Sequence, residues 1–171
     1  GIFALAGAYI AYQTLFKHSD FQVYEAVELT GGVMGTMLAI ALGTLIVSVI
    51  SAIFFTRRQT KKQQLPAWDA QTKRLLINLL IPLAAGGVFA LMLLLKGFVG
   101  MLPSVTLIFY GLALVNASKY SLSDIRSLGL IELVLGLLAF WLIGYGLLIW
   151  AIGFGLVQLV YGLLIQKKYS L

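Results

Sequence analysis

Few residues in this sequence carry side chains that could do chemistry inside a membrane, and those few stand at helical spacing. Glu132 is the one acidic residue within a long apolar stretch, and Gly129 and Gly136 flank it at i−3 and i+4 on the same helix face. Gly155, Gln158 and Gly162 repeat that arrangement in the next stretch, with an amide in place of the carboxylate. Asn78 follows Arg74 by one helical turn, and Asn116 lies just before Lys119. A charged side chain at the bilayer centre costs at least about 2.5–3.5 kcal/mol, so polar groups at such depth need a partner or a purpose. Two readings of Glu132, Gln158, Asn78 and Asn116 stand side by side. In one they are packing glue, with Glu132 and Gln158 hydrogen-bonding across two helices that approach through glycine, and Glu132 within reach of Arg126 or Arg74. In the other they line a pocket open to the cytoplasm, in which a partly desolvated Glu132 binds a proton or cation. Glu132 is expected one to two turns in from the cytoplasmic edge.

Other chemistry finds no support. No Ser-His-Asp set, paired intramembrane carboxylates, phosphate-cradling loop or His-Glu-x-x-His pattern is present. His18 is the sole histidine and there is no cysteine, so no transition-metal or haem site can be completed. The expectation is a protein that is not an enzyme, with no catalytic residue, metal or cofactor.

The elements that must hold these residues follow from composition. Of 171 residues, 61% are hydrophobic, 11% charged and 18 are glycine, far from the soluble range. Apolar runs recur at lengths near the roughly 20 residues that cross a bilayer. They predict an all-α polytopic integral membrane protein, a single transmembrane domain of about six helices arranged as three hairpins. The spans are 1–16, 31–56, 75–95, 101–117, 128–143 and 147–165. The first rises only about 24 Å and reads as a helix whose beginning lies before Gly1. Gly144-Tyr145-Gly146 is so short a connector that the last two spans must form an antiparallel hairpin.

This division sorts the charges. Arg57, Arg58, Lys61, Lys62, Lys73, Arg74, Lys119, Arg126, Lys167 and Lys168 fall on one side, and only Lys17 and Lys96 on the other. The basic side is therefore read as cytoplasmic, with both termini inside, in a multi-pass cell membrane protein. The net charge of +6 then records orientation and contact with lipid headgroups, worth about 1 kcal/mol per juxtamembrane lysine, and no nucleic-acid partner is needed. Arg57, Arg58, Lys61, Lys62, Lys73 and Arg74 are the lipid-facing basic set. The outer segment 19–30 has Phe21, Tyr24 and Val27 at helical spacing and reads as a short interfacial helix. Trp141, Tyr145 and Trp150 read as outer interfacial anchors, and Trp68, Tyr120 and Tyr169 as inner ones.

The chain also echoes itself. Segment 74–122 carries Tyr110-Gly111-Leu112 and then Lys119-Tyr120-Ser121-Leu122; segment 126–171 carries Tyr161-Gly162-Leu163 and then Lys168-Tyr169-Ser170-Leu171. Such hairpins would form a parallel duplication, with chance similarity of Leu/Gly helices as the alternative. Gly31 and Gly35 form a small-x-x-x-small motif, so that Gly31, Gly35, Gly129, Gly136, Gly155 and Gly162 make up the helix-packing set. Ser48 and Ser51 read as hydroxyls bonded to their own helix, and Pro82 as a kink near Gly86-Gly87.

The run TLIFYGLALVNASKY (Thr106 to Tyr120), with DIRSLGLIELVLGL and GFGLVQLVYG after it, resembles a group of uncharacterised six-span bacterial inner-membrane proteins, chiefly of Bacteroidetes. The likeness covers the last third to half of the chain and implies a bacterial inner membrane without implying an activity. More loosely, the Leu/Gly hairpins are similar to HdeD-type acid-resistance membrane proteins, by composition and spacing only.

Three functions are expected as alternatives. The first is a non-enzymatic accessory or stress-related membrane component that packs through glycine faces against itself or another membrane subunit. The second is a small oligomeric carrier or channel for a proton, cation or small solute, using the cytoplasm-facing cluster around Glu132. The third is a sensor whose loop 57–74 presents Trp68 and Asp69 to a cytosolic protein.

Overall fold

The structure, a computed structural model, describes residues 1–16, 70–120 and 123–169. The expected span 31–56 with Gly31, Gly35, Ser48 and Ser51, the segment 19–30, His18, and Arg57, Arg58, Lys61, Lys62, Trp68 and Asp69 lie outside the described residues.

The described elements are helical, an arrangement that satisfies the backbone within each segment. They are α1 (Ile2–Phe16), α2 (Ala70–Leu95), α3 (Leu102–Ala117), α4 (Ser123–Trp141), and a last span built from α5 (Gly146–Ala151), a π-helical segment (Ile152–Val157) and α6 (Gln158–Tyr169). Three stretches are long and apolar enough to cross a membrane: Gln71–Leu95, Val99–Tyr120 and Ile143–Ile165. The 19 residues of α4 include Asp124, Arg126 and Glu132 and are less uniformly apolar. Ile77, Leu80, Ile81, Val88, Met92 and Leu95 of α2 are all exposed, a surface suited to lipid and not to water.

Each connection has a local cause. After α2 the Phe98 N–H bonds the Leu93 carbonyl and the Gly97 N–H bonds that of Leu94, a Schellman closure that puts Gly97 at φ +81°, where a side chain would be strained. Pro103 sits in the first turn of α3, where its missing N–H is no loss. At the other end of the bundle, the Gln71 amide donates to the Tyr120 carbonyl at 3.2 Å, and Lys168 pairs with Asp124 at 2.8 Å. These bonds gather the start of α2, the end of α3, the start of α4 and the end of α6. Lys73, Arg74, Lys119, Arg126, Lys167 and Lys168 share that end. Among the described basic residues, Lys96 alone lies at the opposite one.

The closest packing joins α3 to α4. A methyl built on Gly111 would stand 2.7 Å from the Gly129 carbonyl oxygen, and one on Gly129 would stand 2.8 Å from that of Gly111. One turn or more further on, Gly136 faces Ile108, and the buried Ser104 hydroxyl donates to the Gly136 carbonyl at 2.7 Å. Small residues let two backbones touch where lipid supplies no hydrophobic drive. Gly129, Glu132 and Gly136 thus share one buried face, as their spacing predicts, but the glycines of that face pack on α3 and not on the last span. Gly155 lies against Leu5 of α1, and Gly162 is exposed with no neighbour within 4 Å among the described residues.

Candidate functional site

Two polar sites at different depths replace the single cluster expected from the sequence. The shallower one begins with Pro82. Proline has no N–H, so the carbonyl of the residue four earlier, Asn78, loses its helical donor. Asn116 of α3 supplies one: its Nδ2 donates to the Asn78 backbone carbonyl at 3.0 Å and to Asn78 Oδ1 at 3.3 Å. Asn78 Nδ2 in turn donates to the Arg74 carbonyl at 2.8 Å. The helix α2 continues through Pro82. These three residues form a bond set tying α2 to α3 near the basic end.

The deeper site is centred on Glu132. It is the tenth of the 19 residues of α4, and so stands about 14 Å from either end. The helix α4 begins at Ser123, five residues before the span drawn from apolarity, with Asp124 in its first turn. Glu132 is 0% exposed. Its Oε2 faces the backbone of Gly153 in the π-helical segment, where a methyl would stand 2.6 Å from that oxygen and 2.7 Å from Leu107 Cδ2. Neither carboxylate oxygen accepts a hydrogen bond from a described residue.

Around this carboxylate the polar neighbours are Gln158 and Tyr110. Gln158 opens α6 directly after the π-helical segment, at the middle of the last span. Gln158 stands beside the Glu132 carboxylate, as expected, and its amide donates to the Tyr110 hydroxyl of α3. Tyr110 packs on Phe154 with ring centroids 4.9 Å apart, and Phe154 on Trp150 at 4.9 Å. Trp150 Nε1 donates to Thr106 Oγ1 at 3.0 Å. Trp150 therefore turns inward to α3, whereas Trp141 and Tyr145, at 84% and 64% exposed, point outward as interfacial anchors would.

No family model, curated protein or solved structure matches the chain. The residues themselves must carry the reading. Among the described residues no three His, Cys, Asp or Glu side chains gather into a metal-binding group. Tyr110, Gly153, Ser104 and Thr106 are the site and support residues that spacing does not single out. Tyr110 and Gly111 are visible in the sequence only as half of an echo. The π-helical segment has one sequence signal, the closely spaced Gly153 and Gly155, since widened helical turns favour residues without side chains to crowd them. Its equivalent in the first hairpin is absent, and the echoed Tyr110-Gly111 and Tyr161-Gly162 pairs sit in different surroundings: Gly111 is buried at a helix crossing and Gly162 is exposed.

Proposed function

We propose that this chain is a multi-pass membrane protein that binds and releases a small cation at Glu132, as a carrier or channel. Its full architecture on this reading is six spans with both termini and the basic end in the cytoplasm, in a bacterial inner membrane. One observation supports it above the others: a buried carboxylate at the middle of α4, with both oxygens left without a hydrogen bond by the described residues. Gln158, Tyr110, Trp150 and Thr106 beside it are joined by hydrogen bonds. A bare charge there costs at least about 2.5–3.5 kcal/mol, and taking up a cation removes that cost. A group that gains and loses a cation in the middle of a membrane is the minimum a carrier needs. Six short-looped helices leave little room for a wide aqueous path in one copy, which favours a homo-oligomer.

The test is flux into proteoliposomes under an imposed pH or cation gradient, comparing the native chain with Glu132→Gln. The expected result is gradient-driven flux that falls to the protein-free level in the variant while the helical circular-dichroism signal is unchanged. Equal flux in both removes the proposal.

A second reading, the non-enzymatic accessory membrane component, is favoured by the Gly111–Gly129 crossing, which shows that glycine faces do bring helices of this chain into backbone contact. On that reading neither protein carries flux above empty liposomes.

A further inference from the structure

We infer that the species Glu132 takes up is a proton, and that the Gln158 amide and Tyr110 hydroxyl are the pair that turns to the carboxylate when the proton leaves. This rests on the reading of Glu132 as the ion-binding group, and it deepens that reading by naming the ligand.

Space argues for the proton. Oε2 and the Leu107 side chain both crowd the Gly153 backbone, so closely that not even a methyl fits at Gly153. A hard metal cation takes about six to eight oxygen ligands at roughly 2.3–2.6 Å. The polar side chains beside the carboxylate are Tyr110 and Gln158, with the Gly153 backbone and aliphatic Leu107 crowded on the other side. A larger organic cation would need the aromatic stack to open, and Tyr110, Phe154 and Trp150 are held by ring packing and by the Trp150–Thr106 bond. A proton needs no added volume: one O–H bond forms on a carboxyl oxygen, none breaks in the protein, and the proton comes from and returns to water.

Hydrogen bonding argues for the pair. An ionised carboxylate in a dry site is stabilised chiefly by charge-assisted donors. Gln158 has two N–H groups, one of them donated to Tyr110, and the Tyr110 hydroxyl accepts that bond while keeping its own proton to give. Two donors thus sit beside the carboxylate and bond each other instead of it. That arrangement suits the protonated acid, and their transfer to Glu132 suits the ionised one.

Other titratable groups do not compete for the role. Of the elements packed against α4, α3 contributes Tyr110, α5 and the π-helical segment contribute none, and α6, which reaches α4 through the Lys168–Asp124 pair, carries Tyr161 one turn beyond Gln158 and Lys167 and Lys168 in its last turn. Lys119, Tyr120 and Tyr145 lie in the terminal turns, and Asp124 and Arg126 lie in the first turn of α4 itself.

The test is infrared difference spectroscopy of the full chain in lipid nanodiscs, titrated with pH in sodium, potassium and choline buffers. The expected result is a buried carboxylic-acid carbonyl band that disappears in one titration, identical in the three cations, and is absent from Glu132→Gln. Gln158→Leu and Tyr110→Phe shift the frequency of the carboxylate bands formed on titration, and Asn78→Ala does not. Should Glu132→Gln fail to fold, side-chain isotopic labelling of glutamate assigns the band in the native chain. Three results overturn the inference: no acid band at any pH, a midpoint that moves tenfold or more in proton concentration with sodium, or carboxylate bands indifferent to Gln158 and Tyr110. Titration without flux would reject the carrier and keep the proton site. Flux that follows sodium and ignores pH would do the reverse.

Discussion

Replacing Asn116 by alanine is expected to destabilise the protein because of a proline on another helix. With Asn116 in place, its Nδ2 donates at 3.0 Å to the Asn78 carbonyl that Pro82 leaves without a helical donor. Asn116→Ala strands that acceptor in a partly buried contact, and a buried unsatisfied group costs about 1–3 kcal/mol. Interhelical bonds in membranes average nearer 0.6 kcal/mol with a maximum near 1.7, because the separated helices also find partners. A loss of about 1–2 kcal/mol follows. Pro82→Ala returns an N–H to position 82 and gives the Asn78 carbonyl its intrahelical bond back. In that background Asn116→Ala removes only a surplus donor and should cost about 0.5 kcal/mol or less, so the double-mutant cycle should show a coupling near 1 kcal/mol between residues on two different helices. Reversible unfolding by SDS in bicelles, followed by tryptophan fluorescence, measures all four corners. Equal costs of Asn116→Ala in both backgrounds, within about 0.3 kcal/mol, would refute the argument that the amide exists to serve the proline break.

Further outcomes follow from the glycines. Gly111→Ala places a methyl 2.7 Å from one backbone atom and 2.8 Å from another, neither able to swing aside, and should cost about 1–3 kcal/mol in the same unfolding assay. Gly162→Ala meets open space and should be neutral or stabilising by up to about 1 kcal/mol through helix propensity alone. Gly153→Ala pushes on the Glu132 carboxylate itself, so it should alter the infrared signature of the acid and reduce proton-driven flux even where the protein stays folded.

How much of the molecule is legible in the sequence depends on which kind of signal each feature leaves. The helical stretches 70–95, 99–120, 123–141 and 146–169 are close to the spans drawn from apolar runs, because hydrophobic length is written locally. The grouping of the basic residues at one end follows for the same reason. Glu132 and Gln158 stand out because a polar residue in an apolar stretch has a visible cost. Their partners do not. Tyr110 in a membrane helix looks like one more large apolar residue until a Gln158 amide meets its hydroxyl, and Gly111 looks like one of 18 glycines until Gly129 lies across it. Asn78 and Asn116 bond each other while Glu132 lies beside Gln158 and Tyr110, a separation that apolar runs do not show because they leave the start of α4 undrawn. Continuing α4 back to Ser123 moves Glu132 to the centre, about 9 Å along α3 from Asn116 when measured from Tyr110.

The contrast between the two polar sites separates holding from working. At the Pro82 break a fixed defect meets a fixed remedy: the carbonyl freed by proline can never regain its own donor, so Asn116 must stay, and two further bonds keep Asn78 in place. At Glu132 the relation is inverted. The donors are present, close and backed by the Tyr110–Phe154–Trp150 stack, yet the one bond they make joins Gln158 to Tyr110 while the group with the greatest need goes without. If structure alone governed this site, replacing Glu132 by a residue of similar shape without charge would remove the unmet need and stabilise the bundle, as apolar replacements of buried ions often do. Glu132→Gln is therefore expected to be at least as stable as the native chain and, with the proton-binding carboxyl gone, inactive in flux. A variant that gains stability while losing proton binding would mark Glu132 as a residue kept at the expense of the fold.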